Sequence, residues 1–308
     1  MKAGFGWKKM GFIFCSEMHT PWMYSHASVP IAEHIHDDLF RIYFSSRDKN
    51  NVSYTSFIVI DINEPHKILD LAEHPVLIPG SIGEFDDSGA MGSWITKVNE
   101  SRFFYYIGWN LGVTVPFRNS IGLATSSDGV DFMRLTAGPI VDRSSSEPHF
   151  CASCCVIKDD SLWRMWYLSC TEWRQRDAKL EHRYHIKYAE SDDGVDWKRL
   201  GIIAIDYLND DETAISRPSV LKDENKWRMW FSYRSFSSTY RIGYAESEDG
   251  KLWQRSSESV LECSESGWDS EMVEYPFVFD HRGKRYMLYN GNGYGKTGFG
   301  LAIQEEIT

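Results

Sequence analysis

No run of 18 apolar residues occurs in this chain of 308 residues, so no helix in it is expected to span a bilayer. The leading stretch, MKAGFGWKKMGFIF, lacks a continuous apolar segment followed by a small-residue cleavage site, and does not read as a signal peptide. Cysteine is sparse. Six residues (Cys15, Cys151, Cys154, Cys155, Cys170 and Cys263) are no disulfide framework at this length, and reduced thiols in a cytoplasmic protein are the expectation. Three of them crowd into CASCC, whose spacing matches no zinc pattern and suits buried apolar thiols. Positive charge is also short. Lys and Arg number 33 against 44 Asp and Glu, and the net charge of -11 speaks against nucleic acid or an anionic membrane as a bulk partner. Helical periodicity is almost missing.

What the chain does have is aromatic side chains, 15% of all residues, which suit pleated and half-buried strands. It also repeats itself. YAESDDGVDW (188–197) returns as YAESEDGKLW (244–253), with a weaker relative in IGLATSSDGVDF (121–132) and a truncated one in FGLAIQEE (299–306). Asp-Gly between two short strands is a hairpin signal, because Gly accepts the positive φ of a tight turn. Before each copy comes an aromatic-rich strand, as in FRIYFSSRD, FFYYIGWN, WRMWYLSC, WRMWFSYR and YMLYNGN. Before each of those lies another apolar strand: SVPIAEHI, GSWITKV, CASCCVI, SRPSVLK and VEYPFVF. Five units of about four antiparallel strands predict an all-β, five-bladed β-propeller forming one domain over residues 1–308. The spare strand Trp7–Phe14 is expected to complete the last blade and remove its open edge.

The SxDGxxW hairpins and the inner-strand Glu-x-Pro of VEYP resemble the five-bladed propeller glycosidases, the arabinanase, β-xylosidase, invertase and mannoside-phosphorylase group. The resemblance is nearest to a branch associated with bacterial surface-polysaccharide synthesis, and to the N-terminal domain of glucosamine inositolphosphorylceramide transferases. It implies sugar handling at the mouth where the innermost strands begin. Antiparallel order then turns the Asp-Gly hairpins away from that mouth. It turns two sets of segments toward it: the lead-ins to the inner strands and the loops after the aromatic strands.

Aligned on Pro30, Ser93, Ser153, Pro218 and Pro276, the lead-ins carry Asp86 and Asp87, Glu147, Asp211 and Glu212, and Asp269, six or seven residues upstream. The first unit has Met23 and Tyr24 there instead. Nearer the channel come Ser28, Ser216, Arg217, Glu271 and Glu274. Glycosidic cleavage needs one protonated carboxyl and one ionised partner, so Asp87, Glu147, Asp269 and Glu274 are the acid/base candidates. The resemblance implies that Glu274 is the acid by motif, whereas blade order favours Glu147. It also implies a catalytic Asp at the first inner strand, and WMYSHASVP has none. His26 stands there and is a base or orienting candidate. His149 falls at the matching offset of unit three, so the pair could ligate a divalent metal at the central channel, although the sequence requires no cofactor. The returning loops supply Arg47, Asp48, Trp109, Asn110, Arg234, Asn290 and Asn292 as substrate-binding candidates, joined by Arg217 and Glu271 from the lead-ins, with Arg forks suited to phosphate or carboxylate.

The expectation is a glycoside-hydrolase-like enzyme acting on a carbohydrate or glycan, including an anionic or nucleotide-linked sugar. The alternatives are a sugar transferase or modifying enzyme of polysaccharide biosynthesis, and a non-catalytic glycan-binding propeller.

Overall fold

The computed structural model describes residues 6–176, 179–224 and 226–305. It is nearly all strand. Among the described residues the one helical turn, Asn292–Gly295, has left-handed φ at Gly293 and Tyr294.

The first strand, β1 (Trp7–Phe14), stands apart from the sheet that follows it. Sheet one comprises β2 (Ser25–His36), β3 (Leu39–Arg47), β4 (Ser53–Asp61) and β5 (Ile68–Leu71), paired antiparallel in chain order. Sheet two repeats that order with β6 (Gly89–Val98), β7 (Ser101–Leu111), β8 (Phe117–Ser126) and β9 (Met133–Arg134). Sheet three has β10 (Cys151–Asp159), β11 (Leu162–Arg176), β12 (Lys179–Ser191) and β13 (Lys198–Ile205). Sheet four has β14 (Glu212–Lys222), β15 (Trp227–Ser235), β16 (Arg241–Ser247) and β17 (Gln254–Arg255). Sheet five has β18 (Glu274–His281), β19 (Lys284–Asn290) and β20 (Phe299–Gln304), and its fourth member is β1, antiparallel to β20. Single parallel bridges, Ser53 to Gly89 and Tyr184 to Ala214, connect the strand ladders of sheets one and two and of sheets three and four.

Each aromatic second strand is buried on both faces, which explains its near-continuous apolar run rather than an alternating one. The neighbour on one face is the repeated hairpin of the next sheet. In all three complete copies the Ser hydroxyl accepts the Gly N–H and donates to the Asp carboxylate. The Asp in turn caps the two N–H groups that follow. The turn Gly carbonyl then accepts from the preceding sheet: Tyr43 to Gly129 at 2.7 Å, Tyr105 to Gly194 at 2.9 Å, Trp166 to Gly250 at 2.8 Å. Phe132, Trp197 and Trp253, the aromatics that close the phrase, rest on those same rings. Gly194 shows why no side chain fits: its φ is +79°, and a Cβ would lie 2.9 Å from the Trp163 ring. The repeated phrase is therefore the joint between neighbouring sheets. Glu306, at the end of its truncated copy, lies outside the described residues.

Candidate active site

All five inner strands break register at one level, at Ser28/Ile31, Gly92/Trp94, Cys151/Cys154, Ser216/Ser219 and Glu274/Phe277. A bulge of this kind re-aims side chains and leaves a backbone N–H without its ladder partner. Three of the bulged residues directly precede proline and are left-handed: Val29 (φ 55°), Arg217 (φ 52°) and Tyr275 (φ 55°). Such conformations cost on the order of 1–3 kcal/mol each outside glycine and gather at functional sites. The freed N–H groups are taken up by the neighbouring sheet. Gly92 donates to Thr55 at 2.8 Å, Cys154 to Ser93 at 2.8 Å, Arg217 to Ser153 at 3.1 Å, Tyr275 to Ser232 at 2.7 Å, and Val29 to Asn290 at 2.7 Å.

Above this level opens a cavity of about 310 Å³ to which every sheet contributes. Arg47, Arg217 and Arg234 bring three guanidinium groups to it, and its lining holds no Asp or Glu. Phe150, Tyr184, Tyr240 and Tyr275 are among its aromatic walls, broad faces on which a sugar can stack. Arg217 is fully buried, donates to the carbonyls of Ser93 and Pro30, and has a lone Nε. Burial alone draws its pKa down to about 10, so it remains a cation at neutral pH.

Glu274 adjoins Tyr275 at the start of β18. It is 0% exposed, and neither carboxyl oxygen has a hydrogen-bond partner. Burial pushes its pKa well above the carboxylic range. Arg234, the Tyr275 hydroxyl and the Tyr294 backbone N–H pull the other way without closing a hydrogen bond on either oxygen. The balance shifts Glu274 toward its protonated form, beside a cationic cavity. His182 lines the same cavity, held down at about 4 by burial and then by Arg234.

The acids with a common offset are elsewhere. Asp86, Glu147, Glu212 and Asp269 are at most 4% exposed, and each meets a cation from the outermost strand of its own sheet. Asp86 takes Arg134 at 2.7 Å and Tyr106 at 3.0 Å. Glu147 takes Tyr167 at 2.9 Å and Ser169 at 2.7 Å, with Arg199 and Lys187 at 3.8 Å. Glu212 receives both arms of Arg255 at 2.7 Å, and Asp269 receives Lys9 at 2.6 Å and Tyr289 at 3.0 Å. Among the acid/base candidates, Glu147 and Asp269 thus form buried ion pairs within their sheets, and neither lines the cavity. Asp87 caps Gly83 and binds Asn110 in a local loop.

Several other candidates also hold the backbone. Asn290 is fully buried, accepting from Val29 and donating to Ala27 and Gly298, which joins sheet five to sheet one. Asn292 caps Glu271 and Met272. Asp48 caps Asn50 and Val52. Glu271 is exposed, and Trp109 sits against Gly89 outside the cavity. His26 contacts Ser25 at 2.9 Å and is held near a pKa of about 4 by burial, then Arg47 and Lys296. Two cations beside an imidazole oppose a bound metal ion. His149 is half-buried, and among the described residues no group of three or more His, Cys, Asp or Glu could hold a metal.

Of the sequence candidates, then, Arg47, Arg217 and Arg234 line one cavity, and Glu274 is buried behind that lining, next to Tyr275 and under the influence of Arg234. Tyr184, Tyr240 and His182 were not anticipated. A signal existed for the tyrosines. Their hydroxyls meet each other, and their separation of 56 residues is that of the repeated phrase, four residues further upstream.

The family model for the glycosyl hydrolases family 32 N-terminal domain matches residues 98–300. The uncharacterized protein Rv1502 of Mycobacterium tuberculosis is 43% identical over 300 residues, 97% of this chain and 99% of that protein. The 1,2-beta-oligomannan phosphorylase of a Thermoanaerobacter species is 24% identical over 210 residues, 67% of this chain and 65% of the phosphorylase. A thermostable family-43 glycoside hydrolase matches in fold with a TM-score of 0.67 at 18% identity, over 91% of this chain and 88% of its own. The chain belongs to the glycosyl hydrolases family 32 N-terminal domain family and is glycoside-hydrolase-like.

Proposed function

We propose that the protein is a carbohydrate-acting enzyme of glycosidase type, in which Glu274 is the proton donor and Arg47, Arg217 and Arg234 hold an anionic group. In this reading the five sheets are the blades of one propeller domain closed by β1. The side-chain links from each inner strand to the next sheet, ending in Asn290 on Val29, support that closure. The six free thiols suit a cytoplasmic setting.

The observation that carries the chemistry is Glu274: fully buried, both oxygens unpartnered, beside Arg234. A carboxyl kept protonated at neutral pH can give its proton to the glycosidic oxygen as the bond to the anomeric carbon breaks. The anomeric carbon must then gain a new partner. No carboxylate lines the cavity to deprotonate water, and three guanidinium groups do. The attacking group is accordingly one that is already ionised, such as inorganic phosphate, whose oxygen bonds the anomeric carbon without a base and yields a glycosyl phosphate. The likeness to an oligomannan phosphorylase supports that choice.

The test is turnover of a panel of mannosides, other glycosides and nucleotide sugars, with and without inorganic phosphate. Glu274→Gln should lower kcat by about a hundredfold or more, within the usual range for a lost general acid, while the melting temperature holds. Because the folded pKa is raised, the unmodified enzyme should keep its acid form through neutral pH and lose rate as pH rises through that value. Unchanged turnover in Glu274→Gln would refute the assignment.

A further inference from the structure

A second cavity, of about 420 Å³, lies outside the first, between the end of the β11–β12 hairpin and the segment 235–239. Its existence follows from strand length. At 15 and 13 residues, β11 and β12 outrun their counterparts β15 and β16, at 9 and 7, and carry their last residues past the sheet. The two cavities share His182, Arg234, Tyr240 and Tyr294 as a common wall.

The outer cavity reverses the chain's charge. The chain carries a net charge of -11, yet the lining holds Arg174, Arg183 and Arg234 against Glu181 alone, three cations to one anion. The guanidinium groups are fixed in place. Arg174 and Arg176 stack on Phe236 at 4.7 and 4.1 Å, and Arg183 lies over Tyr207 at 4.2 Å. Glu172, outside the lining, forms ion pairs with Arg174 at 3.7 Å and Arg183 at 3.6 Å, and one arm of Arg183 donates to the Glu212 carbonyl at 2.9 Å. The Nε–H groups of Arg174, Arg183 and Arg234 are all buried without a partner, as is the Oε2 acceptor of Glu181. Buried N–H groups of this kind are costly unless something accepts from them. Three planar forks around one space match the several oxygens of a phosphate better than a single carboxylate.

We propose that the outer cavity binds a phosphate ester on the leaving-group side of the substrate, with Arg174 and Arg183 as its ligands and Arg234 bridging to the inner cavity. The sugar that is transferred sits inside, next to Glu274, and the phosphorylated portion it leaves sits outside. This assignment of sides rests on Glu274 being the proton donor. The anion site itself does not.

Inorganic pyrophosphate is the probe. Titrated calorimetrically into the full chain, it should bind, and the double variant Arg174→Ala/Arg183→Ala should weaken it by about tenfold or more, the loss of charge-assisted hydrogen bonds. Arg47→Ala, which touches only the inner cavity, should weaken it less. The unmodified protein gives a check that does not depend on a variant folding. Saturating pyrophosphate should protect Arg174 and Arg183 from phenylglyoxal, read by peptide mass spectrometry. Equal binding by the double variant, a larger loss in Arg47→Ala, no binding at all, or no protection would each overturn the proposal. Since pyrophosphate binding does not require Glu274, the catalytic reading can fail in its own turnover assay without taking this site with it.

Discussion

Arg217 sits where three constraints meet. Its backbone is left-handed before Pro218, its N–H joins sheet four to sheet three, and its guanidinium lies in the cavity floor against the carbonyls of Ser93 and Pro30. No carboxylate neutralises it there. A buried cation without a counter-charge usually lowers stability, and an apolar side chain of similar length is often tolerated. Arg217→Met should therefore change unfolding free energy by no more than about 2 kcal/mol, measured by denaturant titration, while phosphate-dependent turnover collapses. A large destabilisation would instead make Arg217 an axle of the fold. At this scale the sequence was informative where one residue carries its own signal. Glu274 stood out through Glu-x-Pro, and Arg217 through its place near the channel at the entry to an inner strand, directly before Pro218. Tyr184 and Tyr240 carried theirs only as a pair.

At the scale of the sheets, four acids at one offset were legible, and their work was not. Each carboxylate is paired with a cation that arrives much later or earlier in the chain: 48 residues for Asp86 and Arg134, 43 for Glu212 and Arg255, 260 for Asp269 and Lys9. Nothing local announces such a partner, so an acid cluster read from sequence looks free when it is already neutralised. Sheet one has buried Met23 in place of the acid and buried Phe44 in place of the second-strand tyrosine, whereas sheet four keeps Glu212 and its cation with Phe231 at that place. The acid and its cation act as a clasp across the four strands, and a tyrosine joins it in sheets two, three and five. Glu147→Ala strands Lys187 and Arg199 and should cost about 3 kcal/mol, seen as a lower melting temperature. Turnover measured well below that temperature should survive, the opposite pattern to Glu274→Gln. If Glu147→Ala abolished turnover with its melting temperature intact, Glu147 would return as the acid.

Across the whole molecule, the regular period of the repeats made the five groups of strands legible, and the surplus strand at the start had nowhere else to go. The length of the β11–β12 hairpin, and with it the outer cavity, was not legible. WRQRDAKLEHR reads as a charged loop, because paired strands extending into solvent carry no apolar alternation. The pairing of β1 with β20 has a further consequence. Trp7 lies opposite Gln304, so the first and last strands finish side by side. A short peptide would bridge them, and the chain could be cut elsewhere without disturbing any sheet. Val113, 104% exposed at the tip between β7 and β8, is the natural point. A circular permutant that begins at Thr114 and ends at Val113 moves the two-ended sheet from the fifth to the second. It should unfold in one cooperative thermal transition and still bind pyrophosphate. An insoluble or non-cooperative permutant would mean that the order of synthesis, and not only the set of contacts, selects this arrangement.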